Sequence, residues 1–401
     1  MRAEILAIGT ELLLGETINS NAAWISRELA ALGIDVYHHQ TVGDNPARII
    51  ACVKEALARS TVLMTTGGLG PTDDDLTVAT LAECFQARMV HHPALEKQIR
   101  AYFERRDQSF PQTNRKQALL PDGAHPVENP LGTAPGMWWD VSTSLGKPGF
   151  IATFPGVPKE LFAMWPAVAA HLKALQQEQA EPSMPLVSQD LWFVGIGESQ
   201  LAQQLTDLMA QESPSVAPYV GQGQIRIRLA VKATSVDAGL KILAPLKSEV
   251  LRRVGGYCIG EGHHSLEQMV GHLLRQKSAT VAVAESCTGG LLSSRLTDVS
   301  GSSAYVSYNV VTYSNRAKSD ILGVEEALLA RYGAVSAEAA IAMAVGVQKI
   351  TGATFGLSLT GIAGPDGSTA DKPVGLVYIG IAGPNLPHHY PAMAKVVKVN
   401  A

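Results

Sequence analysis

Thr280-Val-Ala-Val-Ala-Glu-Ser-Cys-Thr-Gly-Gly290, running on into Leu291, Leu292 and Leu296, is the stretch that decides how this chain is read. Thr280 to Ala284 is an apolar run of strand length. The leucines after Gly290 recur at helical spacing. Strand, small polar turn, Gly-Gly and helix make a layout that aims backbone N–H groups and hydroxyls at an anionic or carbonyl ligand. A second polar cluster follows, Gly301-Ser302-Ser303, and then Asn309-Val-Val-Thr-Tyr313-Ser-Asn315-Arg-Ala-Lys318. Serine clusters followed by a tyrosine and a lysine point to nucleophile chemistry.

Outward from this stretch the chain divides into three. Residues 1–175 alternate apolar runs with helical patterns: strands at Glu4–Ile8, Asp35–Gln40 and Thr61–Thr65, helices at Asn21–Leu32, at Pro46–Arg59 and from Leu76. That alternation, with short turns, predicts a parallel α/β sheet with helices on both faces. Gln176–Pro185 is polar and carries prolines, and it reads as a linker. Residues 186–256 read as a small α+β module, with strands Ser188–Val194 and Ile225–Val231 and helices Glu198–Met209 and Asp237–Arg253. Residues 262–401 form a third unit. Ser265 is placed to cap a helix with apolar face Leu266, Met269, Val270 and Leu273. Strands follow at Thr280–Ala284, Ser307–Tyr313, Phe355–Thr360 and Val374–Ala382. The fold class is α/β in three domains.

With 401 residues, 46% hydrophobic and 17% charged, the chain has apolar material for more than one core. A formal net charge of −4 gives no overall positive field to draw nucleic acid. Arg226, Arg228 and Lys232 alternate along a strand and read as a solvated sheet face, with no Gly-x-x-Gly clamp beside them. No apolar run reaches the roughly eighteen residues that span a bilayer. Cys52, Cys84, Cys258 and Cys287 lack metal-type spacing, which suits a reducing compartment. A cytoplasmic protein with no membrane partner is expected.

Gly67-Gly68-Leu69-Gly70-Pro71-Thr72-Asp73-Asp74-Asp75 sits between a strand and a helix. Glycines let the backbone approach a phosphate, and a helix start favours negative charge. Three successive aspartates would repel that phosphate unless a divalent cation intervened, and carboxylate oxygens suit Mg²⁺. Glu11 and Asp44 could converge on the same sheet edge. Glu11, Asp44, Asp73 and Asp75 are therefore candidate metal ligands, with Gly67, Gly68, Gly70 and Thr72 as candidate substrate contacts. Asn114-Arg115-Lys116 supplies cations, and Asn129–Gly136 and Phe154–Pro158 read as rigid binding loops. The plainer use of such aspartates is to cap the helix.

Gly9-Thr-Glu-Leu-Leu13, the Gly67–Thr77 run, Asn114-Arg-Lys-Gln117 and Asn129-Pro-Leu-Gly-Thr-Ala-Pro-Gly136 resemble the molybdopterin-binding-like domain of the CinA family. The resemblance implies a fold like that of molybdenum cofactor biosynthesis proteins and a metal-dependent ADP-ribose pyrophosphatase. Asp44 and Asp75 match the acidic residues used by the molybdopterin-handling relatives. The middle module is similar to the KH-type insert of longer CinA proteins. Ala284–Gly290, Gly301–Ala304, Val311–Lys318, Gly333–Ser336 and Thr360–Gly367 resemble the CinA C-terminal domain. That resemblance implies a nicotinamide-nucleotide amidase, converting nicotinamide mononucleotide to nicotinic acid mononucleotide and ammonia, and a homodimer. Such domains continue past their last strand with a Gly-Asp-Arg turn and a closing helix. This sequence ends at Ala401, where that segment should begin, so an amidase domain without its last helix is expected.

Amide hydrolysis through an acyl-enzyme needs a hydroxyl, a base and donors for the oxyanion. No histidine lies near these motifs, so Lys318 is the candidate base, provided burial or a neighbouring cation lowers its pKa. Tyr313 can relay a proton or orient the lysine. Ser286 and Ser303 both stand as candidate nucleophiles. Thr288, Gly289, Gly290, Thr360, Gly361 and Gly364 are candidate contacts to phosphate or oxyanion, and Asn309 could assist. The amidase is expected to need no cofactor, and the N-terminal domain a divalent cation such as Mg²⁺. The rival reading is a non-catalytic nucleotide- or molybdopterin-binding protein linked to competence and DNA recombination.

Overall fold

Buried along its whole length after the first residue, β1 (Arg2–Ile8) is the strand about which the N-terminal domain is laid down. The computed structural model describes residues 1–142, 146, 148–178, 184–221, 223–262, 265–384, 386 and 392–398. After β1 come α1 (Thr10–Leu13), α2 (Ser20–Ala31), β2 (Asp35–Val42), α3 (Pro46–Arg59), β3 (Val62–Thr66) and α4 (Thr77–Cys84). Then follow β4 (Met89–His91), α5 (Pro93–Glu104), β5 (Leu119–Pro121), β6 (His125–Val127), β7 (Gly136–Ser142), β8 (Pro148–Phe154) and α6 (Pro158–Glu178). Six strands form one sheet in the order β2-β1-β3-β8-β7-β6.

The run β2-β1-β3-β8 is parallel, in keeping with the strand–helix alternation. β7 and β6 extend it antiparallel, a departure from the all-parallel expectation. No helix separates β6, β7 and β8, and without a crossover a strand must return antiparallel. Ile5, Met64 and Phe154 bury one sheet face with Ile25, Leu29, Leu161 and Val168. Leu6, Leu63 and Ile151 bury the other with Ile49 and Val53. The start of α3 follows from its sequence: Asn45 accepts from Arg48 N, with Pro46 in the first turn. The chain leaves β1 towards β2 on one side and leaves β3 towards β8 on the other. Their carboxyl ends therefore frame a crevice.

The expected linker loses its centre, because residues 179–183 lie outside the described ones. Beyond it come β9 (Leu186–Phe193), α7 (Glu198–Met209), β10 (Ser215–Gly221), β11 (Gln224–Lys232) and α8 (Val236–Val254). The cations of β11 have partners within the fold. Arg226 and Arg228 lie over the Tyr219 ring at 4.5 and 5.2 Å, and Lys232 Nζ meets Asp35 at 2.6 Å.

The chain forms two units, Met1–Gln189 with Ile196–Gly256, and Asp190–Gly195 with Tyr257–Ala401. The second contains β12 (Cys258–Glu261), α9 (Leu266–Gln276), β13 (Val281–Glu285), α10 (Leu291–Thr297), β14 (Val306–Val311) and α11 (Asn315–Leu322). It continues with α12 (Glu326–Tyr332), α13 (Ala337–Thr351), β15 (Phe355–Gly361), β16 (Leu376–Ala382) and β17 (Ala392–Lys398). Five strands run in the order β14-β13-β15-β16-β17, with β13 parallel to both neighbours and β16 and β17 antiparallel. Ala282 and Ala284 pack against Met343 and Val347 of α13. Val281 and Val283 face Leu274 of α9 and Leu296 of α10.

Ser265 caps α9 in a reciprocal box with Gln268. The buried side of that helix is Gly271 and Leu274, not the expected face ending at Leu273, which stays exposed. The buried Tyr305 sets this rotation, since a Cβ at Gly271 would sit 2.5 Å from its hydroxyl oxygen. Residues 263, 264 and 399–401 lie outside the described part. Among the described residues no helix is long and apolar enough to cross a membrane. All four cysteines are free thiols.

Gly67 has φ +103°, and a Cβ there would overlap the Ile8 carbonyl oxygen at the end of β1. Gly67→Ala is expected to cost at least about 3 kcal/mol in a urea melt. Gly15→Ala is the control. It carries φ +74° but has open space around it, so it should lose only about 1 kcal/mol.

Candidate active site

The carboxyl end of β13 delivers Ser286 to the crevice between the chain leaving β13 towards β14 on one side and the chain leaving β15 towards β16 on the other. Ser286 N donates to Leu359 O at 3.0 Å, and Thr312 N donates to Glu285 O at 2.8 Å, so the turn is pinned from both neighbouring strands. α11 brings up the lysine. Its start is capped by Ser314, which accepts from Ala317 N, and it stops at Gly323 in the left-handed conformation. Lys318 Nζ lies 3.0 Å from Ser286 Oγ, 2.8 Å from Thr312 O and 3.1 Å from Tyr313 O.

Lys318 is 1% exposed, and burial pulls its pKa below the ordinary lysine value. The two carbonyls can only accept. A neutral amine has two N–H groups for them and one lone pair, which is left for the Ser286 O–H. In that state Lys318 can take the serine's proton. Burial pushes the neighbouring Cys287 thiol up, away from the thiolate form. Of the two side chains, the Ser286 hydroxyl is the one that meets Lys318 Nζ.

Glu285, fully buried beside Ser286, is a functional residue that the sequence reading missed. Its Oε2 accepts from Thr288 Oγ1 at 2.5 Å and from Gly290 N and Leu292 N, both at 3.1 Å. Its Oε1 accepts from Ser293 N at 2.8 Å and Ser293 Oγ at 2.5 Å. Burial raises the pKa of this carboxyl, but the Ser293 and Thr288 hydrogen bonds outweigh it and hold the group below the usual range. The anion at the start of α10 is thus part of the fold. Thr288 and Gly290, read as ligand contacts, give their donors to Glu285. Gly289 donates to Ser286 O at 3.2 Å. The one sequence signal was a carboxylate closing an otherwise apolar strand, with hydroxyls and glycines directly after it.

The remaining candidates separate. Ser303 lies exposed in the short turn before β14, and that six-residue strand divides it from the Lys318 end by roughly 20 Å. Parallel topology is the reason: a residue preceding a strand and one following its neighbour lie at opposite sheet edges. Tyr313 is 75% exposed and reaches Lys318 through its carbonyl, not its ring. Asn309 pairs with Val283 on the exposed edge strand, on the face opposite Thr312. Thr360 follows the register partner of Glu285, but its hydroxyl is bonded to Ala334 O at 2.7 Å. Gly361 admits the close approach of Leu376 O, and Gly364 takes φ +84° in the following loop.

In the N-terminal domain a cleft of about 370 Å³ opens at the carboxyl ends of β1, β3 and β8. Glu11, Asp44, Asp74, Asp75, Gly67, Gly68 and Gly70 line it. Asp44 Oδ2 accepts from Thr10 N at 2.9 Å and Thr10 Oγ1 at 2.8 Å, and Asp75 Oδ2 accepts from Thr72 N at 3.0 Å and Thr72 Oγ1 at 2.5 Å. Thr72 therefore orients a carboxylate, where a substrate contact was expected. Asp73 is exposed and outside the lining, and Asp74 takes its place. Gly70 lies against the Asp75 carboxylate, where a Cβ would clash. Lys116 Nζ donates to Thr72 O and Asp75 O. Among the described residues no three His, Cys, Asp or Glu side chains are grouped closely enough to hold a metal unaided. The carboxylates fit a cation that takes one or two protein oxygens and completes its shell with phosphate and water.

Three family models match the chain in order: a probable molybdopterin binding domain over residues 4–175, the damage-inducible protein CinA KH domain over 188–260, and the CinA C-terminal domain over 263–394. A CinA-like protein of Acaryochloris marina is 48% identical over 382 residues, covering 95% of this chain and 90% of its own length. The chain belongs to the CinA family. A second CinA-like protein, from a Nostoc species, is 46% identical over 384 residues, covering 96% of this chain and 89% of its own. Among solved structures, CinA from Thermoplasma acidophilum is 32% identical, covering 44% of this chain and 98% of its own, with TM-score 0.37. The CinA C-terminal match contains Glu285, Ser286 and Lys318, and the molybdopterin-binding match contains the whole acidic cleft.

Glu285→Gln would turn a saturated acceptor into a donor facing N–H groups. A loss of about 2–4 kcal/mol is expected in chemical denaturation. Because the folded carboxyl is held low, its stabilisation is present above the unfolded carboxylate pKa and is lost as pH falls through the folded one. A wild-type melt should weaken on acidification across that window more steeply than a Glu285→Gln melt.

Proposed function

We propose that the C-terminal domain is a metal-independent amidase acting on nicotinamide mononucleotide, and that the N-terminal cleft hydrolyses ADP-ribose with a divalent cation. The first half rests on one observation, a buried Lys318 Nζ that lies 3.0 Å from Ser286 Oγ and is otherwise held by the Thr312 and Tyr313 carbonyl oxygens. The family resemblance of the surrounding motifs supports the choice of substrate.

Ser286 gives its proton to Nζ as Oγ bonds to the carboxamide carbon and the C=O pair moves onto oxygen. Backbone bonds and Glu285 engage the N–H groups of Ser286, Gly289, Gly290, Leu291, Leu292 and Ser293. The N–H groups of Cys287 and Thr288 face the Cys287 sulfur instead, and they adjoin the nucleophile, where an oxyanion would be the stronger acceptor. The Lys318 ammonium then protonates the departing nitrogen, the C–N bond breaks and ammonia leaves. Water repeats the sequence to free the acid and restore Ser286. In the N-terminal cleft Glu11, Asp44, Asp74 and Asp75 would hold the cation beside the substrate's phosphates. Bound there, it would neutralise the diphosphate and polarise a phosphoryl oxygen.

Ammonia release from nicotinamide mononucleotide, measured with excess chelator, is expected from the 401-residue chain. Lys318→Ala should lower it at least about 10³-fold while leaving ADP-ribose hydrolysis intact. Loss of both activities in a folded variant would refute separate sites. Tight nucleotide binding with no turnover would favour the non-catalytic reading. Amidase activity should rise with pH as Lys318 loses its proton, with a midpoint below the ordinary lysine pKa of about 10.4. A limb at or above that value would remove Lys318 as the base. Conversely, Asp75→Asn or chelation should abolish ADP-ribose hydrolysis and spare ammonia release.

A further inference from the structure

Thr312 Oγ1 is fully buried and has no hydrogen-bond partner. An unpaired buried hydroxyl costs stability unless another state of the site uses it. Its position shows which state. Val310 and Ala284 are register partners and pack on one side of the sheet with Leu322 of α11. Side chains alternate along a strand, so Thr312, two residues past Val310, projects to that same side, towards the helix carrying Lys318. Its own carbonyl oxygen is 2.8 Å from Nζ. The hydroxyl therefore belongs to a residue that already touches the amine through its carbonyl, and it makes no hydrogen bond in this state.

A proton count gives this hydroxyl a task. The neutral Lys318 amine is complete with two carbonyls and the Ser286 O–H. Once Ser286 has given up its proton, Nζ carries three N–H groups. Thr312 O and Tyr313 O still take two. The third is left with a weaker acceptor, because Ser286 Oγ has become the oxygen of a new C–O bond. We propose, resting on the amidase reading above, that Thr312 is a positioning residue. Its hydroxyl oxygen accepts the third N–H of the Lys318 ammonium in each tetrahedral intermediate, and holds that proton until the departing nitrogen or Ser286 takes it.

Thr312→Val keeps the shape and removes the acceptor. It should lower kcat for ammonia release about tenfold with KM unchanged, and leave the melting temperature unchanged or raised. Thr312→Ser, which keeps the oxygen, should stay within about threefold of wild type. A Val variant as fast as wild type overturns the proposal. So does a Val variant with a lowered melting temperature that Ser fails to rescue, since that is a packing role. Phosphonylation of Ser286 by a fluorophosphonate runs in parallel: a Ser–P bond forms, fluoride leaves and the serine proton passes to Lys318. Wild type that labels at Ser286 but releases no ammonia defeats the amidase reading alone. The labelling rates of the three chains then decide the role of Thr312. Wild type that does not label at Ser286 overturns both.

Discussion

A buried carboxylate that must stay charged organises the C-terminal site. Glu285 sits with both oxygens inside the fold, and only a ring of donors makes that tolerable. Meeting that demand fixes the course of residues 286–293. Thr288 and Ser293 turn their hydroxyls inward, Gly289 and Gly290 take positive φ to bring the chain round, and α10 starts where its N–H groups reach the carboxylate. Ser286 is the residue at the base of this turn. Its orientation is therefore set by a group that does no chemistry itself.

The two sites are built alike and behave differently. Each lies beyond the carboxyl end of a central buried strand with a parallel neighbour on either side, and each follows that strand with small residues. In the C-terminal unit the charge at that point is satisfied from within, and an uncharged amine can sit beside a serine. In the N-terminal domain the carboxylates of Asp44 and Asp75 are oriented by threonines but keep a cleft in front of them.

Much of this was legible in the chain. The apolar run of Thr280–Ala284, the helix expected over Pro46–Arg59 and the Ser265 cap place their elements within a residue or two of where they stand. The pairing of Lys318 with a serine was legible too. Which serine was not, because Ser303 is closer to Lys318 in sequence and only the parallel pairing of β13 with β14 sends it to the far edge. Glu285 escaped notice because its donors come from residues that read equally well as ligand contacts. The inner face of α9 was misplaced because Tyr305, thirty-odd positions on, selects Gly271 as its neighbour. Residues whose surroundings are local in sequence could be read, and those whose surroundings come from a distant element could not.

Ser286 and Lys318 are separated by 32 positions, and the strand edge and capped helix that present them must both be in place before they touch. A nascent or unravelling chain holds an ordinary serine and an ordinary charged lysine. The pairing of these two side chains is therefore a property of the folded domain alone, and it vanishes when either element comes away.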